Sequence, residues 1–151
     1  MKQFFAISLS SLLLTACAST GETKQKANTV KTKAAGLSEQ NLVEGECAIF
    51  LWAANGKREF VYFQKQDSAT AKYYKDDTTI DIATTDNTSA LADTPALNFS
   101  YTGPSSEKIT VSGGYDGEIE GGLKIAPSTI KVETKDGWQQ ITPASGVFAC
   151  L

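Results

Sequence analysis

The chain has 151 residues, with 14 Lys and Arg against 17 Asp and Glu, three cysteines and no histidine. That length supports one domain, and 41% apolar residues with 9% aromatics supply a small packed core, which excludes collagen-like, coiled-coil and wholly disordered chains. The missing histidine removes Ser-His, Cys-His and His-metal chemistry together, and a formal charge of -3 argues against a nucleic-acid surface, which needs a basic patch.

Met1-Lys2-Gln3 opens the chain with a positive charge, and residues 4–14 form an uncharged, mostly apolar run. The run is too short to span a bilayer and reads as the core of a secretory signal peptide over residues 1–16. The junction Leu14-Thr15-Ala16-Cys17 resembles the lipobox of bacterial lipoproteins. The resemblance implies cleavage before Cys17 and acylation of that cysteine on its sulfur and its new amino group, by chains such as palmitate. Each buried methylene contributes about 0.8 kcal/mol, so two or three chains make a durable membrane anchor. In diderm lipoproteins an Asp after the cysteine favours the inner membrane; Ala18 stands here, which implies the periplasmic face of the outer membrane.

Residues 17–41 read as the lipidated cysteine and a flexible linker. From Ala18 onward the stretch lacks aromatics, is rich in Ala, Thr, Ser, Lys and Gln, and has too little apolar surface to offset the entropy of ordering. As a coil it would span on the order of 27 Å. Residues 18–37 carry four lysines against one glutamate, whereas residues 38–151 carry nine cations against sixteen carboxylates. The basic stretch suits anionic headgroups, and the acidic domain over residues 42–151 suits solubility or a basic partner.

From Cys47 the apolar period is two. Ile49 and Leu51 alternate with Phe50 and Trp52, which predicts a strand covered on both faces. Asn55-Gly56 predicts a tight type I′ hairpin turn into a strand over 59–64, with Phe60 and Tyr62 on one face and Val61 and Phe63 on the other. Short strands follow over 70–75, 79–83 and 97–101, then around Ile109 and Val111, Leu123 and Ile125, and Ile130 and Val132. Asp136-Gly137 predicts a second tight turn, before strands over 138–141 and 146–150. The chain is therefore expected to be all-β: an antiparallel barrel or sandwich of eight to ten short strands after a disordered tether.

With Cys17 given to lipid, Cys47 and Cys150 remain, and an even pair in an exported chain reads as a disulfide joining the first strand to the last. Among candidate chemistries, Asp76, Asp77, Asp81, Asp86 and Asp93 are oxygen ligands of the kind Ca²⁺ takes, but they lack EF-hand spacing and read as solvated carboxylates. Glu118 and Glu120, two apart on one expected strand, would share a face as the paired carboxylates of a glycan-acting enzyme do. The glycines of Ser112-Gly113-Gly114-Tyr115 lack a phosphate-loop context and suggest a turn or bulge. No metal or cofactor is expected.

An anchored all-β domain stapled near both ends is similar in outline to the membrane-bound inhibitors of c-type lysozyme. In that family a Ser-Gly loop followed by Tyr enters the enzyme, so the resemblance makes Ser112, Gly113, Gly114 and Tyr115 candidate partner-binding residues, although the family's Ser-Ala-Ser-Gly run and Trp-Lys-Gly neighbourhood are missing. The leading expectation is broader: a non-catalytic, lipid-anchored module that binds another envelope protein or a cell-wall component in the periplasm. Lysozyme inhibition is the first alternative, and glycan chemistry at Glu118 and Glu120 the second.

Overall fold

A computed structural model describes residues 35–85 and 96–151. The signal segment, Cys17, most of the spacer, Asp86 and Asp93 lie outside the described residues. Eight antiparallel strands form a meander: β1 (Cys47–Ala53), β2 (Phe60–Lys65), β3 (Thr70–Lys75), β4 (Thr78–Thr84), β5 (Ala96–Thr102), β6 (Lys108–Ile119), β7 (Gly122–Glu133) and β8 (Gln139–Cys150). Each pairs with the next, and β1 pairs with β8 from Cys47↔Cys150 to Ala53↔Ala144, so the sheet closes into a barrel rather than a sandwich. Closure satisfies the ladder hydrogen bonds that an open sheet would leave at its edges. Cys47 and Cys150 are disulfide-bonded across that seam, with their Cα atoms 4.0 Å apart.

The strand count is eight, the lower bound of the expected eight to ten, because stretches that read as breaks lie inside long strands. Gly113-Gly114 sits at a register shift in β6, and Ala126-Pro127 at one in β7. Pro143 and Ala144, between the strands expected over 138–141 and 146–150, both pair within β8. A bulge tolerates turn-type residues because it leaves one residue out of the ladder.

Two turns also differ from expectation. Asn55-Gly56 belongs to a six-residue connection between β1 and β2, not a two-residue turn. The two-residue turn with both φ values positive is Asp76-Asp77, at +48° and +60°, joining β3 to β4. In β2 the simple alternation fails. Trp52 pairs with Phe60 but Leu51 pairs with Tyr62, so Val61 is an extra residue. Tyr62 therefore joins Val61 in the interior cluster, while Phe60 and Phe63 pack outside it.

The interior is filled by inward side chains of every strand, among them Ile49, Leu51, Ile82, Leu97, Ile109 and Ile130. An eight-stranded barrel is just wide enough for side chains to fill. Three polar side chains share this space. The Tyr62 and Tyr101 hydroxyls each donate to Gln64 Oε1, at 2.7 and 2.6 Å, and lie in contact with one another. Gln64 Nε2 donates to the Ser68 carbonyl at 3.3 Å. Burial pushes the Tyr62 phenol well above its ordinary pKa, with Tyr101 adding to the shift.

Part of the expected linker belongs to the folded unit. The Leu37 amide donates to the Phe60 carbonyl at 2.7 Å, and the Leu37 side chain is only 4% exposed. Leu37 and Leu42 pack against Phe63 and Phe60 on the outer face of β1 and β2. Gly36 makes this approach possible: it has φ of +114°, and a Cβ there would stand 2.6 Å from both the nitrogen and oxygen of Phe60.

Candidate functional site

Because β1 is apolar on both faces, its outward residues Phe50 and Trp52 form an external aromatic layer with Phe60 and Phe63 of β2. Phe50 and Phe63 have ring centroids 5.1 Å apart, and Trp52 stacks on Phe60 at 5.3 Å. Beside Trp52 a groove of about 670 Å³ runs between the β1–β2 connection and the β6–β7 hairpin. Trp52, Val147 and Ile119 supply apolar walls, and Ile119 at the hairpin tip is 43% exposed. Arg58 and Lys124 put two cations on its margin. Lys124 is ion-paired with Asp116 at 2.8 Å, whereas Arg58 is exposed and makes no ion pair among the described residues. The groove thus combines apolar area with a cation left available, on a domain whose overall charge is negative.

Sequence reasoning did not find this groove. Its walls come from positions 52, 58, 119, 124 and 147, which no local motif links. The only signal was the doubly apolar face of β1.

The residues singled out from the sequence fall elsewhere. Ser112, Gly113, Gly114 and Tyr115 lie within strand β6, not in a loop. Ser112 pairs with Asn98 and Thr129, Gly113 with Leu97 and Ser128, and the register shifts before Tyr115, so the bulge expectation for the glycines holds. The Tyr115 ring packs edge-on against Phe148 at 6.5 Å and against the interior cluster, and burial raises its phenol pKa. This aims the tyrosine into the barrel.

Glu118 pairs with Leu123, one step before the ladder ends at Ile119↔Gly122, but Glu120 sits in the two-residue turn between Ile119 and Gly122. Both are exposed and neither lines the groove beside Trp52, so the expected shared strand face does not form. Asp77 accepts from the Tyr74 hydroxyl at 3.0 Å, and Asp81 is ion-paired with Lys72 at 3.0 Å. Among the described residues no set of three Cys, Asp or Glu is arranged to hold a metal ion. Trp138, expected at a strand start, is 79% exposed in the β7–β8 turn.

Near the disulfide, Lys65 Nζ donates to both Glu46 carboxylate oxygens, at 2.7 and 2.6 Å. That bond, then the Val43 amide, lowers the Glu46 pKa below its ordinary value. In the opposite half of the barrel, burial raises the Tyr73 phenol, partly offset by its hydrogen bond with Thr142.

Comparison with known protein families, curated proteins and solved structures gave no match for this chain.

Proposed function

We infer that the chain is a lipid-anchored envelope protein, attached through Cys17 at the periplasmic face of a bacterial outer membrane, whose barrel is a non-catalytic binding module. The N-terminal resemblance supports the anchor. The observation that carries the binding role is the groove between Trp52 and Ile119, with Arg58 at its margin. A stacked aromatic wall beside an unpaired guanidinium suits an envelope protein that presents an apolar side chain next to a carboxylate. Aromatic and Arg anchors of this kind dominate protein interfaces.

The anchor has its own expected result. Cys17→Ser should move the protein from the membrane fraction to the soluble fraction, and a variant that stays with the membrane would overturn the lipid assignment.

The binding role is tested by crosslinking and capture from solubilised envelopes with the full chain as bait. Recovery of one identified envelope protein should fall about tenfold with Arg58→Glu, a change at an exposed residue, and with Trp52→Ala. Trp138→Ala, outside the groove, should leave recovery unchanged. Equal recovery with every variant would overturn the groove. Saturable capture of c-type lysozyme, lost with Ser112→Ala and Tyr115→Ala but not with Arg58→Glu, would instead assign the inhibitor role.

A further inference from the structure

The β7–β8 turn holds a tryptophan away from the barrel. The Thr134 amide donates to the Trp138 carbonyl and the Gly137 amide to the Thr134 carbonyl, both at 2.9 Å. Gly137, with φ of +82°, lets the chain reverse there. Trp138 is thereby fixed just before β8, 79% exposed. The strand that follows takes its phase from the interior: Ile130 and Val132 are buried, so their partners Thr142 and Gln140 turn inward, and Ile141 and Pro143 turn outward. Ile141 is 60% exposed. Trp138, Ile141 and Pro143 thus form an apolar edge of roughly 17 Å, at about 3.3 Å per residue, that begins at one end of the barrel.

This is also the end at which the chain enters the domain. Strands β2 and β8 both flank β1 antiparallel, so both start at the same end. Gly36 bridges Phe60 at the start of β2, and Trp138 precedes the start of β8. The disulfide and the exposed Leu151 lie at the other end. Nineteen residue steps separate Cys17 from Gly36. That length reaches at most roughly 63 Å fully extended and roughly 24 Å as a coil. An anchor at Cys17 is therefore attached, over a short reach, to the end that carries Trp138. Charge does not decide what this end meets, because Lys57 and Lys135 stand there with Glu59, Asp76 and Asp136.

We propose that the β7–β8 turn docks on the phospholipid surface that holds the anchor, with Trp138 at the depth of the headgroups and Ile141 beside it. The barrel then stands end-on to its own membrane. The proposal rests on the lipid anchor inferred above. An indole suits that depth because it joins an apolar body to an N–H that needs a polar partner. One such side chain would hold a free protein only weakly. The anchor keeps the turn at high local concentration beside the bilayer, so a weak contact is populated.

The test uses the full lipidated chain, reconstituted in vesicles of phosphatidylethanolamine and phosphatidylglycerol. Trp52→Phe leaves Trp138 as the single tryptophan. Bromine near the headgroup end of the acyl chains should quench its fluorescence by about half, and molar salt should leave that quenching in place. Ile141→Ser should reduce the quenching, and Leu151→Ser, at the opposite end, should not. Protein that floats with the vesicles while Trp138 stays unquenched would overturn the docking and leave the anchor standing. Protein that does not float would remove the anchor, and the docking with it. Quenching abolished by salt would refute the apolar contact. Shielding of Trp138 only when solubilised envelope proteins are added would give the turn to a protein partner instead.

Discussion

Replacing Gln64 with leucine should lower the stability of the barrel by about 3 kcal/mol, although the substitute is apolar and close in size. Gln64 Oε1 is the shared acceptor for two buried hydroxyls, Tyr62 and Tyr101. Removing it takes from both buried hydroxyls an acceptor they share, and a buried group left unsatisfied costs about 1–3 kcal/mol. Tyr62→Phe should cost less, about 1 kcal/mol, because it removes a hydroxyl together with its need for a partner. Thermal unfolding followed by circular dichroism should show a melting point lower by roughly 10–15 °C for the leucine variant. A Gln64→Leu protein as stable as the parent would mean that the two hydroxyls satisfy each other. The same cluster carries a pH signature. The folded Tyr62 pKa is raised, so the stability it contributes is complete below the unfolded phenol value of about 10 and is lost as the pH climbs above that value. Tyr62→Phe should weaken that alkaline loss.

The second large effect is expected at the seam. Cys47 and Cys150 are 103 residues apart, and cross-linking a loop of that size stabilises by up to ~4.7 kcal/mol through the entropy of the unfolded chain. The double variant Cys47→Ala with Cys150→Ala should lose about 4 kcal/mol, a fall in melting temperature of roughly 15–20 °C. Below that temperature its near-ultraviolet spectrum should be unchanged, because the β1–β8 ladder from Ala48↔Ala149 to Ala53↔Ala144 closes the barrel independently of sulfur. A melting shift of only a degree or two would mean the unfolded chain is already compact enough for the cross-link to matter little.

The parts of this structure that were legible in the sequence are those where one local rule acted alone. Ile49 and Leu51 alternate with Phe50 and Trp52, and in β1 the first pair is buried inside while outside Phe50 is partly covered and Trp52 lines the groove. Two cysteines near the domain ends announced a bond between first and last strands. Phe60-Val61-Tyr62-Phe63 was legible as a strand but not in its facing, because four bulky residues in a row contain nothing that marks Val61 as the extra one. Gly113, Pro127 and Pro143 read as breaks because their chemistry is that of turns, and only the partner strands show that the ladder continues past them. Asn55-Gly56 has the composition of a two-residue turn, yet Asp76-Asp77 adopts one, held by the Lys75↔Thr78 pair beside it.

The candidate sites were less legible still. Trp52 and Ile119 are brought near one another by barrel closure, a long-range event with no local signature. Gln64, between Phe63 and Lys65, looks like the polar end of a strand, while two tyrosines distant in sequence make it an interior acceptor.

The strap that begins at Gly36 determines how the domain bears load. Tension applied from the N-terminal side meets the Leu37–Phe60 hydrogen bond first, and then the packing of Leu37 and Leu42 on the outer aromatic layer. These contacts can be broken one at a time, like a peeled strip, while every barrel strand stays in register. Peeling residues 36–46 frees up to roughly 35 Å of contour, at about 3.3 Å per extended residue. It then reaches Cys47, where the force passes through sulfur directly into β8. The domain therefore yields early and by a fixed length before it resists, an extensible leash that ends in a covalent stop.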